Sequence, residues 1–70
     1  MSDAKYMGDY FRRIIQTIQE NLESLEKEKI KYGRFKNYVK ATNKNIKERQ
    51  KDLKYYVNLL NEYKKAGYAE

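Results

Sequence analysis

Cysteine, histidine, proline and tryptophan are all absent from this chain of 70 residues, and glycine occurs only three times. Without cysteine there are no disulfides and no thiol redox chemistry, and without cysteine or histidine the common zinc ligands are missing. Missing proline, scarce glycine and little serine fit a long helix or coiled coil better than a disordered tail. Long apolar runs are missing too. None approaches the roughly 20 residues needed to span a bilayer, and the opening "MSDAKYMGDYFRR" has no apolar core of signal-peptide length. The expected setting is the cytoplasm or another reducing interior compartment, with no secretion by a recognisable signal peptide.

Groups that could do chemistry are equally scarce. Ser2 and Ser24 have no imidazole to activate them, and Gly8, Gly33 and Gly67 form no loop that could cradle a phosphate. Glu20, Glu23 and Glu26 lie near one side of a helix, but a solvated acidic face, with Glu23 reaching Lys27, explains them better than a metal site. The chain is expected to have no catalytic activity, no cofactor and no metal. No motif identifies a family.

What is present is charge and a heptad. Charged residues make up 37% of the chain and apolar residues 40%, with a formal net charge of +6. Positions seven apart from Phe11 onward are Phe11, Ile18, Leu25, Tyr32, Val39, Ile46, Leu53 and Leu60, and all eight are apolar. Chance alone would give such a run roughly 0.07% of the time at this composition, and about half a percent over seven frames, so the pattern is a coiled-coil a register. The d register is mixed: Met7, Ile14, Asn21, Glu28, Phe35, Thr42, Arg49, Tyr56 and Tyr63.

The mixed d register decides the chain direction. In a parallel pair Glu28 would meet Glu28 and Arg49 would meet Arg49, two like-charge layers that a core tolerates poorly. An antiparallel pairing centred between Gly33 and Arg34 instead sets Met7 with Leu60, Phe11 with Tyr56, Ile14 with Leu53, Ile18 with Arg49, Asn21 with Ile46, Leu25 with Thr42 and Glu28 with Val39. The fold class is therefore all-α, an antiparallel two-helix hairpin or coiled coil. The alternative is a single long helix, swapped with a second copy in an antiparallel coiled coil or lying along a partner.

Gly33 favours the hairpin, since it can supply the left-handed residue that ends a helix, and Lys27, Lys29 and Lys31 stand where a helix C-terminus welcomes cations. Residues 1–70 then form a single small domain: helix one over about 4–32, a turn at about 33–34, helix two over about 35–65 and a short tail at 66–70. Arg34 and Lys36 begin helix two poorly, and Asn37 is a possible cap at the cost of a looser turn. A break in "ATNKN" at 41–45 would give three helices.

The hairpin has two unlike ends. Between Lys27 and Lys51 stand ten basic residues against two acidic ones, Glu28 and Glu48, so all the positive excess gathers toward the turn. At the open end Tyr10, Ile15, Leu22, Val57 and Leu59 flank the seam where one partner helix cannot cover them all, and Tyr55, facing away from its seam neighbour Tyr56, is left free, which marks the six as candidate partner-docking residues. Eight tyrosines suit surfaces that are half buried and half wet. At the basic end Lys31, Arg34, Phe35, Lys36, Lys40, Lys44 and Lys47 are candidates for contact with an acidic protein, a nucleic acid or acidic lipid headgroups.

A chain this short rarely buries enough apolar area to be very stable alone. The leading expectation is thus a protein–protein interaction module, such as an accessory subunit, a small chaperone or an inhibitor, whose apolar open end docks while the basic turn end lies against an acidic surface. The partner is another protein or a second copy, forming a dimer or four-helix bundle. The alternatives are a small basic nucleic-acid-binding protein and a self-associating coiled-coil spacer.

Overall fold

The computed structural model describes residues 3–68, and in it the chain folds back on itself as two long helices. Helix α1 is Asp3–Lys31 and helix α2 is Lys36–Lys65. Ser2 and the last two residues of the expected tail, Ala69 and Glu70, lie outside the described residues. The pair is one layer thick, measuring 51 × 17 × 10 Å, so each helix covers only one side of the other. Helix α2 runs unbroken through residues 41–45, which removes the three-helix alternative.

The turn differs from the expectation in how it uses Gly33. Among the described residues the one glycine with a positive φ is Gly67, at 84°, and Gly33 is not in the left-handed region. Close approach is what restricts Gly33. A Cβ built there would stand 3.3 Å from the Lys29 carbonyl oxygen and 3.4 Å from that of Ile30. Around it, the Tyr32 N–H donates to Glu28 O at 2.9 Å and the Phe35 N–H donates to Tyr32 O at 3.0 Å. The chain therefore reverses through a tightened last turn, without a left-handed residue.

Helix α2 begins without help. Phe35 is its N-cap in an extended conformation (φ −95°, ψ 94°), with no side-chain cap hydrogen bond and no acidic residue in the first turn. The Val39 N–H already donates to Phe35 O at 3.0 Å, so Asn37 is inside the helix and cannot serve as the cap considered from sequence. The far end is built better. The Tyr68 N–H donates to Tyr63 O at 2.8 Å and the Gly67 N–H to Lys64 O at 3.1 Å, the paired bonds of a Schellman motif around left-handed Gly67. The Tyr63 and Tyr68 rings, 6.2 Å apart, supply the apolar contact that accompanies such a motif.

The core is small and lies toward the open end. Phe11 and Leu60 are its buried centre, with Met7 and Ile15 from α1 and Tyr56, Leu59 and Tyr63 from α2 packed around it. Positions 56, 59, 60 and 63 are the four corners of the hole that a knob at Phe11 fills in coiled-coil packing. The Phe11 and Tyr63 ring centroids are 5.1 Å apart, so Phe11 faces the whole interval between Tyr56 and Tyr63 and not Tyr56 alone, as simple layer pairing suggests.

Toward the middle the seam turns polar. Ile18 and Ile46 are buried, and Thr42, 4% exposed, satisfies its hydroxyl on Tyr38 O at 2.8 Å. Asn21, Leu25, Asn45 and Arg49 line a small cleft on one side. Arg49 escapes the core by reaching Asp52 at 3.1 Å.

Candidate interaction surface

Three surfaces are left after the helices pair. The first is the apolar rim of the open end. Tyr10 (51% exposed), Tyr55 and Val57 (37% exposed) stand in solvent, whereas Ile15, Leu22 and Leu59 are half-buried. Ile15 and Leu59 contribute to the core itself. The six candidates do not gather in one patch. At about 100° per residue, Tyr10 and Ile15 point about 140° apart and divide between the two flanks of the seam, while Tyr55 points about 160° from Val57, toward the outer side of α2. What does gather is a groove on one flank of α1, lined by Tyr10, Arg13, Ile14, Thr17 and Ile18. The d position of Ile14 places it at the seam, and the incomplete cover of a single facing helix leaves it partly open.

The second surface is the tip. Here the structure divides the basic candidates in two. Lys31 and Arg34 turn onto aromatic rings: Lys31 Nζ is 5.4 Å from the centre of Tyr32, and the Arg34 guanidinium is 5.6 Å from that of Phe35. Tyr32 also meets Tyr38 edge-on at 5.0 Å. Ile30, 81% exposed, adds an apolar side chain that no heptad position predicts, since it points away from the seam.

Glu28, the acid at a d position, avoids the core by turning outward to accept a hydrogen bond from the Tyr38 hydroxyl at 2.8 Å. That hydrogen bond, followed by desolvation and the negative charge of Glu28, raises the Tyr38 phenol above its ordinary pKa. The neutral phenol is the form that the fold prefers. Its contribution to stability is therefore complete below the ordinary tyrosine pKa and is lost as pH rises through the elevated value. Glu28→Gln is expected to move the Tyr38 titration to lower pH, followed by NMR of the labelled phenol carbon. An unchanged titration would show that the pair does not persist in solution.

The third surface runs along α2. Lys36, Lys40, Lys44 and Lys47, all exposed, line an open groove of about 500 Å³ with Gly33, Val39 and Asn43. Lys51 and Lys54 carry the same line onward, at spacings of four and three that the sequence displays plainly once α2 is known to be continuous. Charge is divided between the helices as well as along them. Helix α1 holds six basic and six acidic residues, whereas α2 holds nine basic and three acidic, so the net +6 of the chain equals that of α2 alone.

Among the described residues no group of three or more acidic side chains is placed to hold a metal ion, and no helix is long and apolar enough to cross a membrane. These features define a small all-α module, a two-helix hairpin with polarised surfaces. Compared with known protein families, with curated proteins and with solved structures, the chain matches none.

Proposed function

We propose that the hairpin is a non-catalytic protein–protein interaction module, an accessory subunit, chaperone or inhibitor that docks through its apolar open end while its basic tip meets an acidic surface. One observation carries this reading. Among the described residues four apolar side chains are buried (Phe11, Ile18, Ile46 and Leu60), and around them stays a rim of half-buried or exposed apolar residues. A single layer of two helices cannot close such a rim, whereas a third helix laid along the Tyr10–Ile14–Ile18 groove would cover the part of it on that flank. Apolar area removed from water there contributes roughly 25 cal/mol per Å² before the costs of association are counted.

The rim also shows which residues test the idea. Ile15 is unsuitable because it packs on the core, but Tyr10 and Val57 are exposed, Val57 outside the core cluster and Tyr10 meeting it only edge-on, 5.6 Å from the Phe11 ring. Tyr10→Asp and Val57→Asp are expected to keep the circular dichroism of the free chain. On the docking flank, Tyr10→Asp should reduce co-purification of the native partner by at least about tenfold, the effect of some 1.4 kcal/mol. Equal recovery of the same partner by both variants and the parent chain would refute docking at this end.

A further inference from the structure

We infer that the outer face of α2 is a binding surface for the phosphate backbone of a double-stranded nucleic acid. Lys36, Lys40, Lys44, Lys47, Lys51 and Lys54 follow one another at intervals of four, four, three, four and three residues. At about 100° and 1.5 Å per residue they stay within a sector of about 80° and extend over about 27 Å. All six are exposed, and none makes an ion pair among the described residues. The acidic residues of α2 do not interrupt the line: Asp52 is engaged by Arg49 at 3.1 Å, Glu48 lies outside the sector, and Glu62 enters it only about two turns beyond Lys54. A sector about 20° wider takes in Asn43, Asn58 and Asn61, and between Lys36 and Asn61 it holds only lysine and asparagine.

Composition of this face selects the class of polyanion. Surfaces that hold single strands combine cations with aromatic side chains on which bases stack, and no aromatic residue lies in the sector. The rings of α2 are engaged beside it: Tyr38 turns to Glu28 and Tyr63 to Phe11, while Tyr55, exposed about 20° beyond the Lys44 edge, meets Tyr56 edge-on at 5.2 Å. Helices that lie in a lipid surface set apolar side chains beside their lysines so that these can enter the acyl boundary, and the sector has no apolar residue. What remains is contact with phosphates alone. A duplex is straight over 27 Å because its persistence length is about 50 nm, and it offers one charge per about 1.7 Å of axis. A rigid row of lysines about one helical turn apart can follow such a rail without bending either partner. Asparagine adds neutral donors between the charges.

The face shares with the docking reading only the premise that the basic tip meets an acidic surface, and it does not need the open end to be occupied. Fluorescence anisotropy of a labelled DNA duplex of about 20 base pairs tests it, beside one strand of that duplex alone and vesicles containing phosphatidylserine. Affinity for the duplex is expected on the order of micromolar at low salt, without sequence preference, and six phosphate contacts give a slope of log K against log salt of about −5. Lys44→Gln with Lys47→Gln should flatten that slope by about 2. Exposed glutamine keeps the helix about as well as lysine. Val57→Asp should bind the duplex as the parent chain does, which separates this surface from the open end.

Absence of duplex binding at about 50 mM salt would overturn the inference. So would a double variant that binds like the parent, or tighter binding to the single strand or to the vesicles. Retention of the co-purified protein partner by the double variant would leave the docking reading standing in any of these cases.

Discussion

Phe11→Ala is expected to unfold the isolated hairpin at room temperature. Phe11 is 4% exposed, its ring meets Tyr63 at 5.1 Å and Tyr10 at 5.6 Å, and it shares the core cluster with Leu60. Truncating a buried phenylalanine costs about 3–5 kcal/mol, the lost transfer energy together with the cavity left behind. A domain of this size has little more than that, since one small core rarely supplies above about 3–5 kcal/mol. The gap cannot refill by collapse, because the hole at positions 56, 59, 60 and 63 is framed by two large tyrosine rings. Far-UV circular dichroism against temperature reads the result. A cooperative melt within a few degrees of the parent's would mean that Phe11 does not hold the helices together.

Ile46→Ala is expected to have the next largest effect, about 2–5 kcal/mol. Ile46 and Ile18 are the buried apolar side chains of the middle, where their neighbours are buried Thr42 and a cleft lined by Asn21, Leu25, Asn45 and Arg49. Losing Ile46 leaves that stretch with mainly polar cross-helix neighbours, and the two halves of the hairpin then have little to couple them. Thr42→Val is the comparison: it keeps the shape at a neighbouring buried site and gives up one hydrogen bond, a loss of about 1 kcal/mol. Urea titration of both variants decides the matter. If the threonine change proved the more harmful, the seam would depend on its hydroxyl more than on apolar packing.

Direction and pairing of the helices were legible because the evidence for them is redundant. Eight apolar residues seven apart, with Glu28 and Arg49 forbidding a parallel pair, leave few arrangements, and the structure adopts the hairpin among them. The turn was legible in place but not in form. Gly33 marks it, yet whether a glycine is needed for a left-handed φ or for close approach depends on carbonyl positions that only the folded turn defines. The start of α2 was misleading for a related reason. Sequence suggests a capping residue wherever one is available, but the reversal at Phe35 comes two residues before Asn37.

The surfaces were harder to read than the seam. Flanking heptad positions identify residues that a single partner helix covers poorly, but pooling them hides that e and g positions lie on opposite flanks. Tyr10 and Ile15 belong to the same list by that rule and to opposite sides of α1 by geometry. Burial then separates them further, because Ile15 joins the core and Tyr10 does not. In the same way, counting charges along the chain assigns the basic excess to the turn, whereas the continuous α2 extends it along one helix, as far as Lys54.

The unequal charge of the two helices also bears on how the molecule meets anything large and charged. With α1 neutral and α2 at +6, the rod is electrically lopsided across its narrow width. A distant polyanion therefore exerts a torque as well as a pull, turning the α2 side forward before contact. At physiological ionic strength that influence fades beyond about 8 Å, close to the thickness of the rod itself. Reorientation thus belongs to the last moments of an encounter, and the neutral helix trails behind, its back free for whatever else the chain must hold.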